Sequence, residues 1–253
     1  EKKEHEYTIT SGSDVNVNEE YLKGLPDLQN STNIKGANEH IQRVGISNFR
    51  LPLHILQKDG STIELESSVI GTVSLDGIKK GINMSRILRS FYPYRSEPFH
   101  TNLLKKILSD YQTEVGAYDA HICVSFNYRI WQESLRSTTD GKKNGGWQYY
   151  LVTLESKISG STVQQYIHFD FTYSSTCPCS TDLSLHAMDT RQIYAVPHSQ
   201  RSIARISIEI DDIVWIEDIQ KMCQNALKTE TLVFCKREDE QAFAELNAQH
   251  TKF

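Results

Sequence analysis

The stretch AHICVSFNYRI, residues 120–130, decides how this chain is built. Ala120, Ile122, Val124, Phe126, Tyr128 and Ile130 recur at every second position over an unusually long run. Apolar residues at a period of two put one side of an extended chain into a core. A strand this long belongs to a wide antiparallel sheet with one covered face. Upstream, Phe49, Leu51, Leu53 and Ile55 alternate in FRLPLHIL, residues 49–56, which reads as a half-buried strand. Asp59 and Gly60 mark a hairpin turn, and STIELESSVIGTVSL, residues 61–75, is its return strand. Two helical stretches come next, NMSRILRSFY (83–92) and HTNLLKKILSDYQTEV (100–115). The second sets Leu103, Leu104, Ile107, Leu108 and Tyr111 on one stripe.

Downstream, TTDGKKNGG (138–146) reads as a polar, Gly-rich turn. Two further strands, WQYYLVTLESKI (147–158) and TVQQYIHFDFTY (162–173), are joined by Ser159, Gly160 and Ser161. Ile167, Phe169, Phe171 and Tyr173 share one side of the second. A loop follows, then the strand SIARISIEI (202–210), carrying Ile206, Ile208 and Ile210. WIEDIQKMCQNALKT (215–229) predicts an amphipathic helix with Trp215, Ile219, Met222, Ala226 and Leu227 on its apolar face. REDEQAFAELNAQ (237–249) predicts another. Strands followed by two helices thus occur twice. The expectation is an α+β chain of two tandem modules, residues 41–135 and 146–253, behind a polar N-terminal arm at 1–40.

The 253 residues, 38% hydrophobic, are enough for one large core or two of roughly 100–130 residues each. A net charge of −5 argues against a binder of nucleic-acid backbones, which needs a basic face. It leaves room for a small anionic substrate held by a few local Lys and Arg. No apolar run is long enough to span a membrane, and the charged start EKKEHEYTIT has no signal-peptide pattern. Five cysteines are an odd number and do not suggest a disulfide scaffold. Cys123 and Cys223, among apolar neighbours, read as buried small hydrophobes. A reduced, cytoplasmic protein is expected.

Chemistry concentrates in SSTCPCSTDL, residues 174–183. Cys177 and Cys179 flank Pro178, which fixes the backbone and removes one N–H. If that segment is strand-like, both thiols face one cavity. The pair can form a strained disulfide, ligate a metal, divide those roles, or simply occupy an ordinary loop; its polar Ser and Thr flanks offer no core for it. His198, in VPHSQRS (196–202), is a credible second ligand, although a lone His is more often structural. KREDE (236–240) opens a helix with carboxylates, which are favourable in a first turn whether or not they bind anything. A Cys/His/Glu set leaves one coordination position open, as a catalytic metal site does. A second, non-ligating thiol can move protons. These residues point to a metal-dependent hydrolase without naming its substrate.

STCPCS, HSQRS and KREDEQAFAELNA, together with upstream LPDLQNS and KKGINMSR, resemble the type IB GTP cyclohydrolases, over nearly the whole chain from Leu25 to Phe253. The family's H-N-Q-R-S carries Ser199 here in place of Asn, and the span between Cys179 and His198, including His186, is longer than usual. The resemblance implies the tunnelling fold: two modules of antiparallel sheet with paired helices on one face, joined across subunits in a homotetramer. It implies hydrolysis of GTP at C8, releasing formate and giving 7,8-dihydroneopterin triphosphate for pterin biosynthesis. It implies one divalent metal, Zn²⁺ or Mn²⁺/Fe²⁺, held by Cys177, His198 and Glu240, with Cys179 as proton shuttle. Arg86, Arg201 and Arg237 lie inside matched motifs and are candidates for the triphosphate, each equally open to a structural ion pair; at subunit junctions one chain can serve another's metal. The family pattern continues past Phe253 into an F-x-E-D segment, whose Glu is expected to anchor guanine, and a stretch with E-S-I-H. The other function considered is a tunnelling-fold relative that binds a purine or pterin and makes a different product, such as a cyclic phosphate, or none.

Overall fold

A computed structural model of the chain describes residues 19–25 and 38–250. The elements run α1 (Glu19–Lys23), β1 (Ile41–Leu56), β2 (Thr62–Leu75), α2 (Ser85–Arg89), α3 (Thr101–Val115), β3 (Asp119–Thr139), β4 (Lys142–Ser159), β5 (Thr162–Thr176), α4 (Pro178–Arg191), β6 (Ser199–Ile210), α5 (Ile216–Leu227) and α6 (Arg237–Gln249). Most of the expected N-terminal arm, and the anticipated motif residues at 26–31, lie outside the described residues.

All six strands pair antiparallel in sequence order, so each hairpin adds one strand to a single sheet. Ile122, Val124, Phe126 and Tyr128 of β3 are buried on one face, with Tyr150, Val152 and Leu154 of β4 and Ile167, Phe169 and Phe171 of β5. Against that face α3 packs on β3, β4 and β5, α5 on β5, and α6 on β3 and β5. The α3 stripe is fully used: Leu103, Leu104, Ile107, Leu108 and Tyr111 are all buried, each worth about 1.5–3 kcal/mol relative to exposure. Gly116, at φ 63°, ends this helix in the left-handed conformation that a side chain would strain. The result is α+β, with an antiparallel sheet covered by helices on one face, as the tunnelling fold requires.

Three local expectations are corrected. The polar stretch at 138–146 is not a long turn: β3 continues to Thr139 and β4 begins at Lys142. Asp140 (φ 51°) and Gly141 (φ 75°) alone make the reversal, both left-handed as a two-residue hairpin demands. The ladder outruns the core, so its tip is polar while remaining strand. Strands from residues 41–135 and 146–253 share one sheet and one hydrophobic cluster. The apolar face of α5 is rotated: Ile216, Ile219 and Cys223 are buried, while Met222 and Ala226 are exposed. The stretch after β5 is a fourteen-residue helix, α4, not a loop. None of its side chains is buried, so it carries no amphipathic signal.

Among the described residues no helix packs on the opposite face of the sheet. There Trp131 and Trp147 face each other across β3 and β4, ring centroids 5.4 Å apart and edge-on, at 48% and 47% exposure. Tyr149 and Leu151 extend the exposed apolar surface along β4. Among the described residues no further strand pairs with the outer edges of β1 and β6; Phe99 alone bridges β1, at Ile55.

Candidate functional site

The C-terminal ends of β3 and β5 and the N-terminal ends of β4 and β6 lie at one end of the sheet, because neighbouring strands are antiparallel. Thr176, the last residue of β5, pairs with Ser199, the first of β6. One step further out, the Cys177 N–H donates to the His198 carbonyl at 3.3 Å. Residues 21 positions apart in sequence are thus seated side by side by the main chain. A second tie holds them, the His198 N–H donating to Ser180 Oγ at 3.1 Å.

Cys177 is the extended N-cap residue of α4 (φ −65°, ψ 120°), and Pro178 occupies the first helical turn, where its missing N–H costs nothing. The Thr181 N–H and hydroxyl both donate to the Cys177 carbonyl at 3.0 Å. The chain therefore turns from strand to helix between the two cysteines. The strand-like reading, in which both thiols share one face, does not hold: Cys177 is half-buried at the corner, and Cys179 is exposed on the first turn of α4.

Beneath this corner the end of β5 is clamped. The Ser174 N–H donates to the Thr229 carbonyl at 2.7 Å, and the Thr229 hydroxyl returns a bond to the Ser174 carbonyl at 2.6 Å. Next to the clamp is Glu230, 4% exposed. Its carboxylate accepts hydrogen bonds from the Tyr150 hydroxyl and from the Gln220 and Gln224 amides, the latter two at 3.2 Å. Burial raises the Glu230 carboxyl above the ordinary glutamate range, against the pull of those donors. The start of α6 is tied to the same end of the sheet by Asp239. It accepts the N–H groups of Arg136 (2.8 Å), Ser137 (2.9 Å) and Lys236 (2.9 Å). Burial alone would raise its carboxyl, but these donors outweigh it and hold it well below the usual range.

Of the other anticipated residues, Arg201 pairs with Ser174 on β6, and Arg237 opens α6; both are exposed at this end. Glu240 is exposed in the first turn of α6. His186 is exposed on α4. Arg86 lies elsewhere. Its guanidinium donates to the Glu114 carbonyl, beside the last turn of α3, which leads into the first residues of β3. Asp119 and Ser134 are about 50 Å apart along β3 at ~3.3 Å per residue, so Arg86 does not join Cys177 within one chain.

A second cluster was missed by the sequence reading. His121 and Cys123 sit on the open face of β3, and Glu155 directly opposite Cys123 on β4. Among the described residues these three alone bring His, Cys, Asp or Glu ligand atoms within 4.8 Å of one another. The reading of Cys123 as a core residue is therefore corrected: it occupies the off-beat of the alternation that buries Ile122 and Val124. The available signal was a His and a Cys two apart on the face opposite the core.

Residues 25–253 match the family model described as type I GTP cyclohydrolase FolE2. The chain belongs to this family. It is 51% identical over 243 residues to GTP cyclohydrolase FolE2 of Jannaschia sp., a match covering 95% of this chain and 66% of the relative. Against the FolE2 of Ruegeria pomeroyi the identity is 49% over 245 residues, covering 95% and 65%. Against that of Paracoccus denitrificans it is 49% over 244 residues, covering 95% and 74%. The chain thus spans about two thirds of the length of these FolE2 proteins.

For the metal that FolE2 resemblance implies, thiolate, imidazole and carboxylate at the sheet end form a donor set suited to a borderline dication. Backbone pairing already joins Cys177 to His198, and Asp239 fixes the turn that carries Glu240. Among the described residues the candidate donor atoms of Cys177, His198 and Glu240 do not lie within 4.8 Å of one another.

Proposed function

We propose that this FolE2-family chain hydrolyses GTP at C8 of guanine, releasing formate and giving 7,8-dihydroneopterin triphosphate for folate biosynthesis. The observation that carries the proposal is the main-chain pairing that seats Cys177 beside His198 in a chain about half identical to proteins named GTP cyclohydrolase FolE2. Cys177, His198 and Glu240 hold one divalent metal, Zn²⁺ or Mn²⁺/Fe²⁺. When bound, it supplies Lewis-acid activation of water. Cys179 stands on the far side of Pro178, at the start of α4, and need not compete for the ion. Its thiol is free to deliver a proton to N7 or N9 as the five-membered ring opens. Arg201 and Arg237, exposed at the same end, suit charge-assisted bonds to the triphosphate. Arg86, at the other end of the sheet, serves a neighbouring subunit's site.

A homotetramer of two-module chains in the cytoplasm is part of this reading. Several features support assembly. Among the described residues neither sheet edge carries a further strand, although Phe99 bridges the end of β1, and the Trp131/Trp147 face is uncovered. Around α4, Leu183 (71%) and Tyr194 (79%) are exposed with no core of their own. No described helix is long and apolar enough to cross a membrane. The test is incubation of the full-length, metal-loaded protein with GTP, followed by oxidation and detection of neopterin fluorescence. A metal-dependent fluorescent product is expected. Absence of any pterin refutes the proposal, and a cyclic phosphate product would point to a different step on the same substrate.

A further inference from the structure

We propose that the open face of the sheet carries a second transition-metal site, formed by His121 Nε2, Cys123 Sγ and Glu155 Oε1 and gated by the Lys157 ammonium. The site is separate from Cys177, which follows the far end of β5. On β3, residues two apart point the same way, which places His121 and Cys123 on one face. Cross-strand register then sets Glu155 opposite Cys123. His121 Nε2 is 2.6 Å from Glu155 Oε1 and 3.3 Å from Cys123 Sγ, so one ring nitrogen points at both other ligands. Imidazole, thiolate and carboxylate together suit Zn²⁺ and Co²⁺, and three protein ligands leave a position for water.

An outer layer is already built. Glu155 Oε2 accepts from His168 Nε2 at 2.7 Å, and His168 Nδ1 in turn meets the Ser207 hydroxyl at 2.8 Å. This relay from β6 through β5 fixes the carboxylate's orientation, as supporting shells do around metals. Lys157 Nζ lies 2.9 Å from Glu155 Oε1, where a cation belongs. Its side chain is 38% exposed and flexible, so it can leave as an ion arrives. Entry is provided by a cavity of about 440 Å³ that His121, Lys157, Thr72 and Arg43 help to line. His121 Nδ1 and Thr72 Oγ1 are buried beside it without a hydrogen-bond partner among the described residues. An ion on Nε2 leaves the ring proton on Nδ1.

The alternative is a purely structural network in which Lys157 permanently neutralises Glu155. Cobalt binding separates the two. The protein used is the full chain with Cys177→Ser and His198→Ala, which removes the proposed catalytic ligands, so the outcome does not depend on GTP turnover. Equilibrium dialysis against Co²⁺ is expected to leave one ion per chain, with the intense near-ultraviolet absorption of a thiolate–cobalt bond. Adding Cys123→Ser should abolish that absorption, with the circular dichroism unchanged. In that same double variant, Lys157→Gln should tighten the site at least about tenfold by removing a competing charge, and His168→Ala, which removes the partner of Glu155 Oε2, should weaken it about 10–100-fold. A chain that binds no cobalt once the sheet-end ligands are gone overturns the proposal. So does a thiolate–cobalt band that survives Cys123→Ser, or a Lys157→Gln variant with unchanged affinity.

Discussion

Replacing Tyr150 with Phe should destabilise the protein in a pH-dependent way. Tyr150 is 1% exposed, its ring stacked against those of Phe169 (5.1 Å) and Phe171 (6.3 Å). Phenylalanine keeps that packing and deletes only the hydroxyl that donates to Glu230. A hydrogen bond to a buried charge is worth about 1.5–3 kcal/mol, one between neutral groups about 0.5–1.5. Because burial raises the Glu230 carboxyl, the folded state binds a proton that the unfolded state has released. Below the ordinary glutamate value Glu230 is neutral in both states, and the variant loses only the neutral bond. As pH rises through the folded pKa the carboxylate ionises, and the loss grows to its full size. Urea unfolding at fixed protein concentration, followed by circular dichroism and fluorescence across a pH series, should give a loss of about 0.5–1.5 kcal/mol below the ordinary glutamate range, growing to about 1.5–3 once the pH has passed the raised folded pKa. A loss that stays constant over the whole pH range in which the protein is folded, or that stays below ~0.5 kcal/mol throughout, would show that Glu230 is not a buried carboxyl held by Tyr150.

Other substitutions probe the site and its frame. Cys177→Ser should lose the sheet-end metal by direct metal analysis, whereas Cys179→Ser should keep it and lose most GTP turnover; equal metal loss in both contradicts the division of roles. Asp239→Ala removes the acceptor of three N–H groups. It should lower the melting temperature and, by releasing the turn that carries Glu240, weaken metal binding at Cys177 and His198 in a chelator competition. Gly71→Ala would bring a methyl to 2.6 Å from Ile87 Cγ2, a fully buried side chain, and should cost about 1–3 kcal/mol in urea unfolding.

Periodicity made the sheet legible. The alternation at 120–130, at 49–56 and at 162–173 corresponds to β3, β1 and β5, and the 3.6-residue stripe at 103–111 is the buried face of α3. Where a segment's burial is not settled within one chain, periodicity says nothing. Helix α4 buries no side chain, and the β3–β4 tip extends beyond the core, so the first read as a loop and the second as a turn. The sheet-end site was legible as motifs, since Cys177, His198 and Glu240 come from short quotable stretches. That Cys177 and His198 are neighbours was not, because it depends on the β5–β6 register that pairs Thr176 with Ser199. The same limit hid His121, Cys123 and Glu155. Only strand pairing reveals that a carboxylate from β4 faces a thiol from β3.

The most direct test of metal-dependent chemistry at the sheet end is anomalous diffraction from crystals of the metal-loaded protein. The expected result is a peak bounded by the Cys177 thiolate and the His198 imidazole, with the Glu240 carboxylate swung in to complete the set. A density map with no ion at that position, in protein that turns GTP into a fluorescent pterin, would contradict the assignment.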